Sequence, residues 1–106
     1  MRAQSRVGKA ICVGWVSAGG GAGKSGAEAF APEIILVSAG FDAHMLDPLG
    51  GLRMTEPGFA ALCEIVRDAA RRHANGRIAL VLEGGYHLGA TAASVRACVD
   101  VLATNA

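Results

Sequence analysis

Asp42, His44 and Asp47 stand close together in SAGFDAHMLDPLGGLRM, residues 38–54. A carboxylate oxygen and an imidazole nitrogen are both ordinary zinc ligands. The D-x-H spacing of Asp42 and His44 puts both side chains on one face of an extended chain. The pattern alone is weak, because Asp and Gly beside a Pro are also what a surface turn uses. On that second reading His44 is a solvated loop histidine. Tyr86 follows Gly84 and Gly85 in LVLEGGYHL, residues 80–88. The two glycines permit positive φ or close approach of the backbone to a ligand. A phenol after such a turn could donate a hydrogen bond to a developing oxyanion. The alternative is a tyrosine whose ring covers a sheet edge and whose hydroxyl is wet. A third candidate is AGGGAGKS, residues 18–25, one residue from a phosphate-binding loop, with Ala18 at the first glycine position. There the backbone N–H groups would cradle phosphates and Lys24 would reach the outer ones.

These residues need elements to hold them. Residues 9–16 (KAICVGWV) are a short β-like run, followed by a Gly-rich loop over 17–26. AEAF, 27–30, has room for one helical turn before Pro32 stops it. Residues 33–38 (EIILVS) are continuously apolar after Glu33, which predicts a strand buried on both faces. Pro48-Leu49-Gly50-Gly51 is strong turn punctuation in the loop that follows. A helix is predicted over 55–74, with Thr55 as N-cap, Pro57 in the first turn, and Phe59, Leu62, Cys63 and Val66 on one apolar face. Arg67, Asp68, Arg71 and Arg72 take its wet side, His73 its last turn, and Asn75-Gly76 its stop. Residues 77–82 (RIALVL) read as a second buried strand, and 88–103 as a last helix with Val95, Cys98, Val99 and Leu102 inward.

The order β, loop, α, β, loop, α predicts an α/β fold with a parallel sheet and flanking helices. Parallel strands put their C-terminal ends on one edge, where ligands bind in open α/β sheets. The loops 39–54 and 83–87 should therefore share one rim.

Composition limits the partners. Ten Lys+Arg against nine Asp+Glu give a net charge of +1, so neither direct nucleic-acid binding nor a polybasic membrane anchor is expected. No apolar run approaches the ~20 residues needed to span a bilayer, and no signal peptide is expected after MRAQSRVGKA. Cys12, Cys63 and Cys98 are odd in number and widely spaced, which predicts reduced thiols in a cytoplasmic protein. With only five aromatic residues against 21 alanines, the core should be aliphatic.

SAGFDAHMLDPLGGLRMT (38–55), followed by LVLEGGYHL (80–88), resembles the C-terminal half of the histone deacetylase family. The likeness is nearest to class II members and their bacterial relatives, including acetylpolyamine amidohydrolases, and covers about residues 31–102. The resemblance implies the C-terminal part of an arginase-like α/β fold, and zinc-dependent hydrolysis of acetyl-amides on lysine side chains or polyamines. Position by position, Asp42 looks like one of the family's metal-binding aspartates. Tyr86 looks like the tyrosine that polarises the acetyl carbonyl. Gly84 and Gly85 resemble glycines lining the acyl-lysine channel, and Leu49 the apolar residue at its mouth. An apolar Leu49 favours an acyl-lysine or neutral acyl-amide substrate. Asp47 is read as bracing the loop, and His44, His73 and His87 match no family ligand.

Two departures accompany the resemblance. The family's His-His general-base pair and its Asp and His ligands spaced D-x-H have no counterpart in this sequence, which holds three separated histidines. Relatives also carry a full helix where AEAF stands. Residues 1–32 are therefore read as a divergent segment with a Gly-rich loop, and 33–106 as the C-terminal part of a deacetylase-like domain. The chain by itself is expected to be inactive. Its expected partners are an acetylated lysine or similar acyl-amide, and either a missing N-terminal half or a second copy. The alternatives are a nucleotide-binding module through residues 18–25 and a non-catalytic deacetylase-like fragment. The Pro32 stop, only about two turns after Lys24, counts against the first.

Overall fold

The computed structural model describes residues 2–5, 9–14 and 30–104. Four strands, β1 (Arg2–Ser5), β2 (Lys9–Gly14), β3 (Ile34–Ala39) and β4 (Ile78–Leu82), form one sheet in the order β1-β2-β3-β4. β2–β3 and β3–β4 are parallel pairs. The helices are α1 (Glu56–His73) and α2 (Leu88–Ala103). The α/β class and the parallel sheet are as the sequence predicts. An antiparallel strand, β1, adds to them where the sequence predicted no element. The Gly-rich loop and the phosphate-loop candidate at 18–25 lie outside the described residues, as do residues 27–29 of the AEAF turn. No helix among the described residues is long and apolar enough to cross a membrane.

The chain divides into two compact units, Met1–Ala39 with Ile65–Leu82, and Gly40–Glu64 with Glu83–Ala106. In the first unit, β3 alternates half-buried and buried residues, with Ile35, Val37 and Ala39 fully covered. One face of β3 is thus closed, whereas the continuous apolar run predicted two. β4 departs further from its predicted burial: Val81 and Leu82 are 57% and 60% exposed. It is the last strand in the sheet order, so one of its long edges lacks a neighbour among the described residues. Ala39 lies opposite Leu82 in the ladder, so the two following segments leave the same end of the strand pair.

The C-terminal half of α1 buries Val66, Ala69 and Ala70. Arg71, Arg72 and His73 occupy its last turn, where cations complement the exposed carbonyls. The predicted stop is real. Asn75 and Gly76 take left-handed φ values of 52° and 76°, and the Gly76 N–H donates to Ala70 O at 2.9 Å.

In the second unit, α1 begins after Thr55, whose carbonyl accepts from the Phe59 N–H at 3.1 Å. α2 is capped by His87: its Nδ1 accepts from the Ala90 N–H at 3.0 Å. The residues that α2 buries are Ala90, Ser94 and Cys98. Val99, expected inside, is 54% exposed. The core of this unit is aromatic rather than aliphatic. Phe41 and Phe59 meet edge to face with ring centroids 4.9 Å apart, and both are buried. Cys63 and Cys98 lie beside them: the Cys63 thiol approaches Cys98 O at 3.6 Å and the Cys98 thiol approaches Phe59 O at 3.8 Å. These reciprocal contacts require α2 to run close to the first turns of α1.

Candidate active site

Asp42, His44, Asp47, Leu49, Gly84, Gly85 and Tyr86 all belong to the second unit. Residues 41–47 form consecutive turns rather than extended chain. The His44 N–H donates to Phe41 O at 3.2 Å, and the Asp47 N–H to His44 O at 3.0 Å. The turn separates what D-x-H spacing would have paired. Asp42 is exposed, while His44 is buried at 2%.

His44 is therefore no solvated loop histidine. Its Nδ1 accepts from the Leu46 N–H at 3.1 Å. Nε2 lies 3.3 Å from Glu56 Oε1, too poorly aligned for a hydrogen bond, and the ring stacks over Phe59 at 6.4 Å. The Glu56 carboxyl is held below the usual glutamate range, first by its own backbone N–H and then by the neighbouring imidazole. With Nδ1 accepting from Leu46 and Nε2 beside Glu56, the buried His44 ring is not paired with Asp42. Its role is packing.

Asp42 faces the second loop. A Cβ placed on Gly84 would lie 2.9 Å from Asp42 Cγ and 3.1 Å from both carboxylate oxygens. The absence of a side chain at 84 is what lets the carboxylate stand there. The two loops are joined beside this point, where the Phe41 N–H donates to Gly84 O at 2.7 Å. Gly85 is required for a different reason. Its φ is 141°, and a Cβ would meet Thr91 Oγ1 at 2.6 Å. The two glycines should therefore respond differently. Gly84→Ala is expected to turn the exposed Asp42 carboxylate aside while changing stability by less than about 1 kcal/mol. Gly85→Ala is expected to cost about 1–3 kcal/mol from backbone strain. Urea unfolding of both variants, with the carboxylate carbon shift of Asp42, checks the contrast.

Asp47 is 8% exposed and makes three charge-assisted hydrogen bonds. Its Oδ1 accepts from the N–H groups of Leu49 (2.8 Å) and Gly50 (2.9 Å), and its Oδ2 from the Tyr86 N–H (2.8 Å). Desolvation works to raise its carboxyl, but the N–H groups of Tyr86, Leu49, Gly50 and His87 outweigh it and hold it below the usual aspartate range. The bracing role read from sequence is thus present in full. Leu49 and Tyr86 both carry their side chains outward, 72% and 56% exposed.

Among the described residues no group of three His, Cys, Asp or Glu could hold a metal ion. Asp42 alone is available, and a catalytic zinc takes three protein ligands. The described residues therefore do not make a complete zinc site.

Sequence reading missed His44 and His87. The signal for His87 was present, since a side-chain acceptor three residues before Ala90 at a helix start is an N-cap pattern. The signal for His44 was not, since its partner Glu56 lies beyond a turn-rich loop.

The chain is thus an α/β chain in which an aspartate turn follows β3 and a Gly-Gly-Tyr turn follows β4. The Histone deacetylase domain matches residues 20–102. A histone deacetylase-like amidohydrolase of Pseudomonas aeruginosa is 49% identical over 59 residues, covering 56% of this chain and 16% of that protein. The chloroplastic histone deacetylase 10 of Oryza sativa subsp. japonica is 49% identical over 69 residues, covering 65% of this chain and 16% of that protein. The crystal structure of the HDA15 HD domain matches with a TM-score of 0.71 at 34% identity, covering 87% of this chain and 26% of that one. The chain belongs to the histone deacetylase domain family, and it spans about a sixth (16%) of the length of the two relatives named.

Proposed function

We propose that this chain is the C-terminal part of a zinc-dependent deacetylase, and that it hydrolyses acetyl-lysine or a similar neutral acyl-amide only within a completed domain. One observation supports this best. The Asp42 carboxylate stands against Gly84, two residues from Tyr86, in a unit whose loops are tied by Phe41–Gly84 and Asp47–Tyr86 hydrogen bonds. That arrangement offers one metal-binding carboxylate and one phenol donor from adjoining turns. In this reading Gly84 and Gly85 would line the acyl-lysine channel, and the exposed Leu49 would give its mouth an apolar surface. The other metal ligands and the general base come from residues outside this chain.

The test has two arms. The purified chain, assayed on acetyl-lysine and acetylpolyamine substrates with added zinc, is expected to show no turnover and weak zinc binding by calorimetry. The same chain joined to the preceding portion of the Pseudomonas relative is expected to gain metal-dependent turnover that Asp42→Ala abolishes. A folded chimera without turnover would overturn the proposal. Tight zinc binding and turnover by the chain alone would overturn the division of parts.

A further inference from the structure

We propose that Asp47 is a positioning residue for Tyr86: its carboxylate spans the two turns, one oxygen on each, and sets where the phenol stands relative to Asp42. This rests on the reading that Tyr86 acts on the substrate carbonyl.

The division of labour between the two oxygens carries the inference. Oδ1 is used within the first loop, where it accepts from Leu49 and Gly50 and fixes the Pro48 turn. Oδ2 is used between loops, on the Tyr86 N–H, 39 positions further along the chain. Loop bracing alone needs only Oδ1. The second oxygen goes to the backbone of Tyr86, the residue to which the proposed function gives the phenol donor. The carboxylate is largely buried, and its partners are all backbone donors, so the geometry does not depend on another side chain's rotamer. Behind Tyr86, His87 caps α2, with Thr91 N–H donating to His87 O at 2.9 Å. The Tyr86 backbone is thus held from one side by Asp47 and from the other by the start of a helix. Its side chain remains exposed. A catalytic phenol needs this combination of a fixed root and a free tip.

Asparagine separates the two roles. It keeps one accepting oxygen and replaces the other with an N–H₂ donor. The oxygen should stay with Leu49 and Gly50, where it satisfies two donors, leaving the Tyr86 N–H facing another donor. In Asp47→Asn, hydrogen exchange at the Tyr86 amide should accelerate while Leu49 and Gly50 keep their protection. In the unaltered chain, a coupling across the hydrogen bond from the Tyr86 amide nitrogen to the Asp47 carboxylate carbon should be seen, which needs no variant to fold. Absence of that coupling, where couplings between backbone groups are measured, overturns the tie. So does unchanged Tyr86 exchange in a folded Asp47→Asn chain.

The kinetic role is read in the completed domain. Asp47→Asn should lower kcat roughly 10- to 100-fold with KM little changed, the size expected of a misplaced group. In a Tyr86→Phe background the same substitution should have little further effect, because its action runs through that side chain. An equal further loss there would show that Asp47 acts elsewhere. A completed domain without any turnover would instead sink the proposed function, leaving the amide measurements to decide the tie itself.

Discussion

Tyr86→Phe in the completed domain is expected to lower kcat by about 10²–10³-fold while leaving KM nearly unchanged. The substitution removes one oxygen and keeps the ring. At 56% exposure Tyr86 contributes little to the core, so the fold should be indifferent. The hydroxyl matters only where negative charge develops on the carbonyl oxygen, and a donor aimed at that charge stabilises the transition state more than the bound substrate. A loss in kcat is therefore expected, and a loss of binding is not. Steady-state kinetics of the folded variant on acetyl-lysine substrate decides the matter. Undiminished turnover would remove the oxyanion role and leave Tyr86 as a surface aromatic.

Much of the fold was legible because the strand and helix signals are local. α2 runs from Leu88 to Ala103, the predicted span, and α1 and strands β3 and β4 fall within a residue of theirs. What the sequence hid was which side of each element is covered. The predicted inward face of α2 is Val95, Cys98, Val99 and Leu102, yet the buried line is Ala90, Ser94 and Cys98, so that Cys98 alone is shared. Small residues win there because the thiols of Cys63 and Cys98 reach backbone carbonyls across the helix pair. Bulky aliphatic side chains on that line would hold the helices apart. β4 is apolar enough to suggest burial, but burial depends on neighbours that the sequence of a single strand does not reveal.

The site divided in the same way. That Asp42 comes to stand beside Gly84 was readable from loops expected to share one rim, while the roles of Asp42, Gly84 and Tyr86 belong to the proposed function. The pairing of Asp42 with His44 failed because periodicity assumes extended chain, and residues 41–47 turn twice. Asp47 was correctly read as a brace, but only within its own loop. Its bond to Tyr86 joins residues 39 apart, and nothing in the spacing encodes it.

Phe59→Ala is expected to destabilise the chain by about 3–5 kcal/mol, the usual result of emptying a buried aromatic site. The ring is fully buried, packs edge to face on Phe41 and lies over the His44 imidazole. Its removal would leave both neighbours beside a cavity that rigid helices cannot fill. Domains of this size are stable by only about 5–15 kcal/mol, so the loss is a large fraction of the total. Val99→Ala on the exposed side of α2 should fall within about 0.5 kcal/mol. Urea unfolding followed by far-UV circular dichroism measures both. The effect should also reach the site, because Phe41 carries the N–H that bonds Gly84 O and so joins the two loops. In Phe59→Ala, amide exchange at Phe41 should rise by more than the global loss of stability accounts for. A cost below about 1 kcal/mol would mean that the second unit is not built around this aromatic pair, and the link from core to site would fail with it.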